Sequence, residues 1–297
     1  MEPRWLGRRP TLGVTIATEG SGGRPAVARP QRPRWAPALA ADLVAGRFGC
    51  AGCGFDGSSS LPWPGSRERA TLVTNPFWED PDVVERFASR DPDHRLVELI
   101  GSYPEPAGVR VLDVGCAGGR NTGLLVRRGF DVHALDAARA MVERSRARIA
   151  PLVGREEAAA RVRVGRMDEL SAYADGAFEL VVALGVHHSA RSREEWERSV
   201  AELARVLRPD GRLLFSQFTP ETDLTGEGIA PVPGEPGVYD GFPSGRAVLL
   251  TAGALDAALA EHGFEPLEPT ATVRVDLERG RRVSANGLYV RVPGHPV

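Results

Sequence analysis

The chain contains no lysine: all 37 of its basic residues are arginine, a usage that reads as the codon bias of a GC-rich genome rather than as a functional choice. Its 39 acidic residues leave a formal net charge of −2. That balance is uneven, because residues 1–75 hold 10 arginines against 5 acids and the remainder 27 against 34. An acidic body is poor material for a groove that tracks a phosphate backbone, so no nucleic-acid partner is expected. Cysteine is scarce as well. Cys50, Cys53 and Cys116 are too few for a disulfide framework, and the Cys50-x-x-Cys53 pair has no second pair to complete the four ligands of a closed zinc site. No stretch approaches the roughly 18 consecutive apolar residues of a membrane span, and the first residues are too weakly apolar for a secretory leader. The expected setting is the cytoplasm, with neither membrane nor metal.

What the chain does have is material for one core, since 42% of its 297 residues are hydrophobic. Residues 1–74 are rich in Gly, Pro, Arg and Ser and bury too little apolar surface to offset the entropy of ordering. They are expected to form a disordered or loosely attached extension, followed by one domain over 75–297. In that domain, strand-like runs ("GVRVLDVG", "FDVHALD", "RVRVGRMD", "FELVVALG", "RLLFSQF") alternate with helical ones. The helix after "FELVVALG" opens on a Ser192-x-x-Glu195 capping box. Such alternation predicts an α/β, Rossmann-like, doubly wound sheet, mostly parallel, with helices on both faces. The two last strand-like segments, "EPTATVRVDLE" and "VSANGLYVRV", flank the turn-prone "RGRR" and predict an antiparallel finish.

In such a sheet, ligands bind beyond the carboxyl ends of the strands, nearest the first strand-to-helix turn. Here that turn is "GCAGGRNT", Gly115 to Thr122, where missing side chains let backbone approach a ligand. A dinucleotide fingerprint, Gly-x-Gly-x-x-Gly, would put glycine at Ala117 and Arg120, so nicotinamide chemistry is disfavoured. The stretch resembles motif I of the class I S-adenosylmethionine-dependent methyltransferases, an acid, a spacer and Gly-x-Gly-x-Gly, read as Asp113, Gly115, Ala117 and Gly119 with alanine in the middle glycine position.

Later positions agree with that resemblance. Asp136 lies 21 residues after Gly115 at the end of the second strand, where an acid accepts hydrogen bonds from ribose hydroxyls. "RMDEL" sets Met167 and Asp168 at the end of the third strand, where the family flanks adenine and meets its exocyclic amine. "DGAFELVVALGVHH" is similar to the fourth-strand segment and "ELARVLRPDGRLLFSQF" to the entry into the fifth, with Asp210 in place of a glycine. The resemblance implies a seven-stranded sheet with an antiparallel last strand. It also implies S-adenosylmethionine as cofactor, held around Asp113, Gly115, Cys116, Ala117, Gly119, Asn121, Asp136, Ala137, Met167, Asp168 and Leu184.

Transfer of a sulfonium methyl is an in-line displacement, for which the enzyme mainly aligns donor and acceptor. Where the acceptor must lose a proton, His187 and His188 after the fourth strand are the candidate bases, although a structural lining role is the commoner one at that position. Cys116 has no evident base beside it and is expected to be structural. The fourth strand is followed by "LGVHHS" rather than the Asn/Asp-Pro-Pro-aromatic run of nucleic-acid amino-methyltransferases, and the Pro-Cys nucleophile of cytosine-C5 enzymes is missing. A small-molecule acceptor is therefore expected, on a monomer or homodimer. Two alternatives stay open: a non-catalytic protein that binds the same cofactor, and a nicotinamide-dependent oxidoreductase.

Overall fold

The computed structural model describes residues 75–294. The extension expected over 1–74, with Cys50 and Cys53, lies outside the described residues. The fold is α/β and Rossmann-like, with an eight-stranded, mostly parallel sheet whose last strands are antiparallel. The described residues divide into two compact units, 75–167 and 168–294.

The first unit opens with three short helices, α1 (Pro76–Glu79), α2 (Pro81–Ala88) and α3 (His94–Ile100), each started by a local acid or amide. Asn75, Asp80 and Asp93 accept hydrogen bonds from the first free amides of these helices, which have no carbonyl partner within the helix. Strand β1 (Arg110–Val114) leads through the glycine turn into α4 (Arg120–Arg127), and β2 (Asp131–Asp136) leads into α5 (Arg139–Val153). A second helix, α6 (Arg155–Arg161), set off from α5 by Gly154, precedes β3 (Val162–Val164). These strands pair in parallel in the order β1-β2-β3. Residues of α5, α6, β2 and β3 make one apolar cluster with Cys116, through Val142, Ile149, Ala158 and Val162.

The second unit starts at β4 (Phe178–Leu184), a run buried on both faces as a parallel strand requires. Helix α7 (Arg193–Val206) runs into β5 (Leu207–Phe218), which pairs in parallel with β4. "RPDG" falls within the range of β5 as an irregularity in its ladder with β4. Asp210 takes the left-handed backbone there (φ 61°), and the β4–β5 register shifts between Phe178 and Leu180. The stretch after β5, which reads as loop, contains a small antiparallel sheet of β6 (Ala230–Pro231), β7 (Val238–Phe242) and β8 (Gly245–Val248). Helix α8 (Ala252–Ala260) is followed by β9 (Phe264–Pro266), β10 (Ala271–Asp276) and β11 (Arg281–Arg291). Strand β11 pairs antiparallel with β5, β10 and β9. The short β9 is the eighth strand; its three residues carry too little pattern to be read from sequence.

Candidate functional site

The end of β1 is held by a buried acid. Asp113 is 2% exposed and accepts a hydrogen bond from the Thr122 hydroxyl at 2.7 Å, which ties the strand to the first turn of α4. Burial pushes its pKa up to about 6, against the opposing pull of that hydroxyl. Between these two residues the chain turns on left-handed conformations at Gly115 (φ 71°), Ala117 (φ 46°) and Gly119 (φ 75°). The alanine in the middle glycine position thus takes a conformation that L-residues avoid. Its amide is held there by Asp136, whose Oδ2 accepts the Ala117 N–H at 2.9 Å.

Asp136 closes β2 and accepts twice: Oδ2 from Ala117 and Oδ1 from the Ala138 N–H at 2.9 Å. It keeps part of its surface exposed, yet the dense protein around it raises its pKa to about 6, with a smaller push from Glu79. Each oxygen has a further lone pair, so the carboxylate can still accept from a ligand hydroxyl. Cys116 is 4% exposed, and burial among Asp136 and Asp113 drives its thiol well above the usual range, which excludes a ready thiolate.

Within 75–167 the structure therefore gathers Asp113, Gly115, Cys116, Ala117, Gly119 and Asp136 around one turn. Ala137 is exposed just past β2. Asn121 lies in α4 with its Oδ1 accepting the Asp93 N–H at 3.0 Å, so its amide oxygen supports α3. Met167 is buried, but it does not end the third strand: β3 stops at Val164, and Met167 and Asp168 sit in the turn beyond. The strand stops there because Gly165 leaves the ladder after its N–H meets the Asp136 carbonyl.

In the second unit, Asp168 forms an ion pair with Arg198 of α7 at 3.2 Å, its side chain 7% exposed. Leu184 ends β4, and His187 and His188 follow in a single 3-10 turn, His187–Ser189. Both imidazoles are buried. His187 packs against Phe215 (ring centroids 4.7 Å apart) and His188 stacks on Phe218 (4.1 Å), which faces Phe242. Burial lowers the His187 pKa to about 3 and the His188 pKa to about 4, so both are neutral at pH 7. Neither nitrogen of His187 has a protein partner, nor does Nδ1 of His188.

Residues 112–215 match a family described as a methyltransferase domain. The chain is 33% identical over 215 residues to a malonyl-(acyl-carrier protein) O-methyltransferase of Halorhodospira halophila, covering 70% of this chain and 67% of that protein. It belongs to the class I S-adenosylmethionine-dependent methyltransferases. A second relative of this methyltransferase is a ubiquinone biosynthesis O-methyltransferase of Xanthomonas axonopodis pv. citri, 31% identical over 151 residues that cover 50% of this chain and 59% of that protein. Among solved structures the fold is similar to the CcbJ methyltransferase of Streptomyces caelestis, with a TM-score of 0.51 and 18% identity over 72% of this chain and 98% of that one. It is similar also to a methyltransferase of Methanosarcina mazei, with a TM-score of 0.51 and 18% identity over 65% of this chain and 97% of that one.

Two supports of the site escaped sequence reading. Glu79 reaches the start of α5 from about 60 residues away in sequence and Arg148 reaches the turn from about 30, and no local pattern marks such contacts. Among the described residues, no helix is long and apolar enough to cross a membrane, and no three His, Cys, Asp or Glu side chains group as metal ligands.

Proposed function

We propose that residues 75–297 are a methyltransferase domain that binds S-adenosylmethionine and methylates an oxygen of a small-molecule acceptor. The observation that carries this reading is Asp136, a carboxylate at the end of β2 whose two amide bonds leave lone pairs free beside a turn built on left-handed backbone. That acceptor fits a ribose: an ionised acid accepts from vicinal hydroxyls, and the turn presents little side chain to block a close approach. When bound, S-adenosylmethionine supplies an already activated methyl group. Asp113 braces the turn through Thr122, and Ala137, exposed just past β2, offers apolar surface suited to an adenine. The O-methyltransferase names of the relatives support an oxygen acceptor.

His188 suits a role in orienting a hydroxyl better than a role in storing its proton. Its ring is neutral, its Nδ1 lacks a partner, and a pKa near 4 makes it a weak base at pH 7. The same low basicity favours a second reading, a cofactor-binding protein without chemistry. Calorimetric titration with S-adenosylmethionine, S-adenosylhomocysteine and NADH tests the first step. Binding of the first two without the third is expected, and NADH binding alone would overturn the assignment. Transfer of labelled methyl to a panel of phenols, carboxylic acids and acyl-carrier-bound acids then separates enzyme from binding protein.

A further inference from the structure

Helix α5 carries a ladder of contacts to the segment that precedes β1. At its N-terminus, where Ala138 supplies no side-chain cap, the Glu79 carboxylate accepts the Arg139 and Ala140 N–H groups, each at 2.9 Å. Arg144 pairs with Glu85 at 3.1 Å. Arg148 closes the ladder: its Nε donates to the Gly118 carbonyl at 2.9 Å and its Nη2 to the Ala88 carbonyl at 2.5 Å. Positions 140, 144 and 148 share one face of the helix. Between the rungs, Val83, Val84 and Phe87 pack on Ala117 and Met141. At Gly118 a Cβ would run into Ala88, so the backbone of the glycine turn and the end of α2 are in close approach.

Arg148 differs from the other rungs. Its guanidinium holds two carbonyls from different segments, one in the turn and one at the end of α2, and burial, with Arg144 and Arg127 nearby, lowers its pKa against a smaller opposing pull from Glu85. A planar fork suits this, because its donors diverge at fixed angles. Fixing the Gly118 carbonyl orients the peptide that enters Gly119 and, on its other side, the stretch that points the Ala117 amide at Asp136.

We propose that Arg148 is a positioning residue for the cofactor, coupling the docking of α1 and α2 to the geometry of the glycine turn. The inference rests on the methyltransferase reading for the identity of the ligand. The coupling itself rests on the contacts above.

The test uses the full chain with Arg148→Met, which keeps the aliphatic stem, and Arg148→Lys, which keeps the charge without the fork. Arg274→Met on β10 is the control. Binding of S-adenosylhomocysteine is measured by calorimetry, and amide hydrogen exchange of residues 76–88 and 115–120 is followed without ligand. Arg148→Met should weaken binding by about ten- to hundredfold, the range for losing hydrogen bonds to a charged group. Both segments should exchange faster together, with partial recovery in Arg148→Lys and no change in the control. Unchanged affinity, or faster exchange in only one segment, overturns the proposal. Should Arg148→Met lose its melting transition, Arg148→Lys carries the comparison. A wild-type chain that binds no S-adenosylhomocysteine overturns the methyltransferase reading and the cofactor role with it, while the exchange data still decide the coupling.

Discussion

The ionisation of Asp136 acts in opposite directions on folding and on ligand binding. Its pKa rises from 3.8 to about 6 on folding, so the folded chain favours the protonated acid. The stability this contributes is present below pH 3.8 and is lost as the pH rises through about 6. Ligand binding runs the other way, because a ribose hydroxyl needs the ionised acceptor. Affinity for S-adenosylhomocysteine should therefore be flat above pH 7 and weaken by up to about tenfold per unit below pH 6. Calorimetry across pH 5–8 reads this directly, and Asp136→Asn should abolish the slope; a slope that survives in the variant would assign it to another group. Ala117 offers a second test. Its left-handed backbone costs an L-residue about 1 kcal/mol that glycine avoids. Ala117→Gly should raise stability in urea titration by up to that amount and leave binding intact, whereas a loss would show that the methyl packing against α2 outweighs the strain. That Ala117 occupies the middle glycine position was legible from the Gly-x-Gly-x-Gly frame, but its left-handed backbone and its bond to Asp136, 19 residues away, were not.

At the scale of elements, local signals were read well where the chain caps itself. The Ser192-x-x-Glu195 box starts α7 as its spacing predicts: the Ser192 hydroxyl oxygen accepts the Glu195 N–H at 3.1 Å. The reciprocal half is displaced by one residue, with Glu195 accepting from the Arg191 N–H at 2.9 Å. Ser192→Ala should cost about 1 kcal/mol in chemical denaturation, and a loss below a few tenths would mean Glu195 alone suffices. Elements defined by partners rather than by pattern were misjudged. The small sheet β6-β7-β8 lies in a stretch dense in Gly and Pro, where antiparallel pairing of short segments leaves no sustained alternation to read. The third strand ended early for the same reason: Met167 looks strand-like beside "RVRV", yet the ladder with β2 stops at Val164.

For the whole molecule, the buried histidines set the response to acid. His187 and His188 fall from 6.5 to about 3 and about 4 on folding, so the stability they contribute is present above pH 6.5 and is lost as the pH falls toward those values. The histidines should lower the melting temperature as the pH goes from 7 to 5, while Asp113 and Asp136, whose pKa values are raised to about 6, offset part of that drop. Replacing His187, whose ring nitrogens have no protein partner, by leucine should leave the melting temperature at pH 7.5 unchanged or higher and flatten the acid drop. A large loss at pH 7.5 would show that those nitrogens are satisfied after all. The sequence by itself determined the alternation of the long strands β1, β2, β4 and β5 with helices, the turn that bares its backbone and the acid that ends β2, because periodicity, glycine spacing and capping are local properties of the chain. Tertiary structure alone decided that Asp136 holds Ala117, that Glu79 caps α5, that Arg148 bridges Gly118 to Ala88, and that both histidines are neutral. Each of these depends on which distant groups meet and how far water is excluded, and neither is encoded in any short stretch.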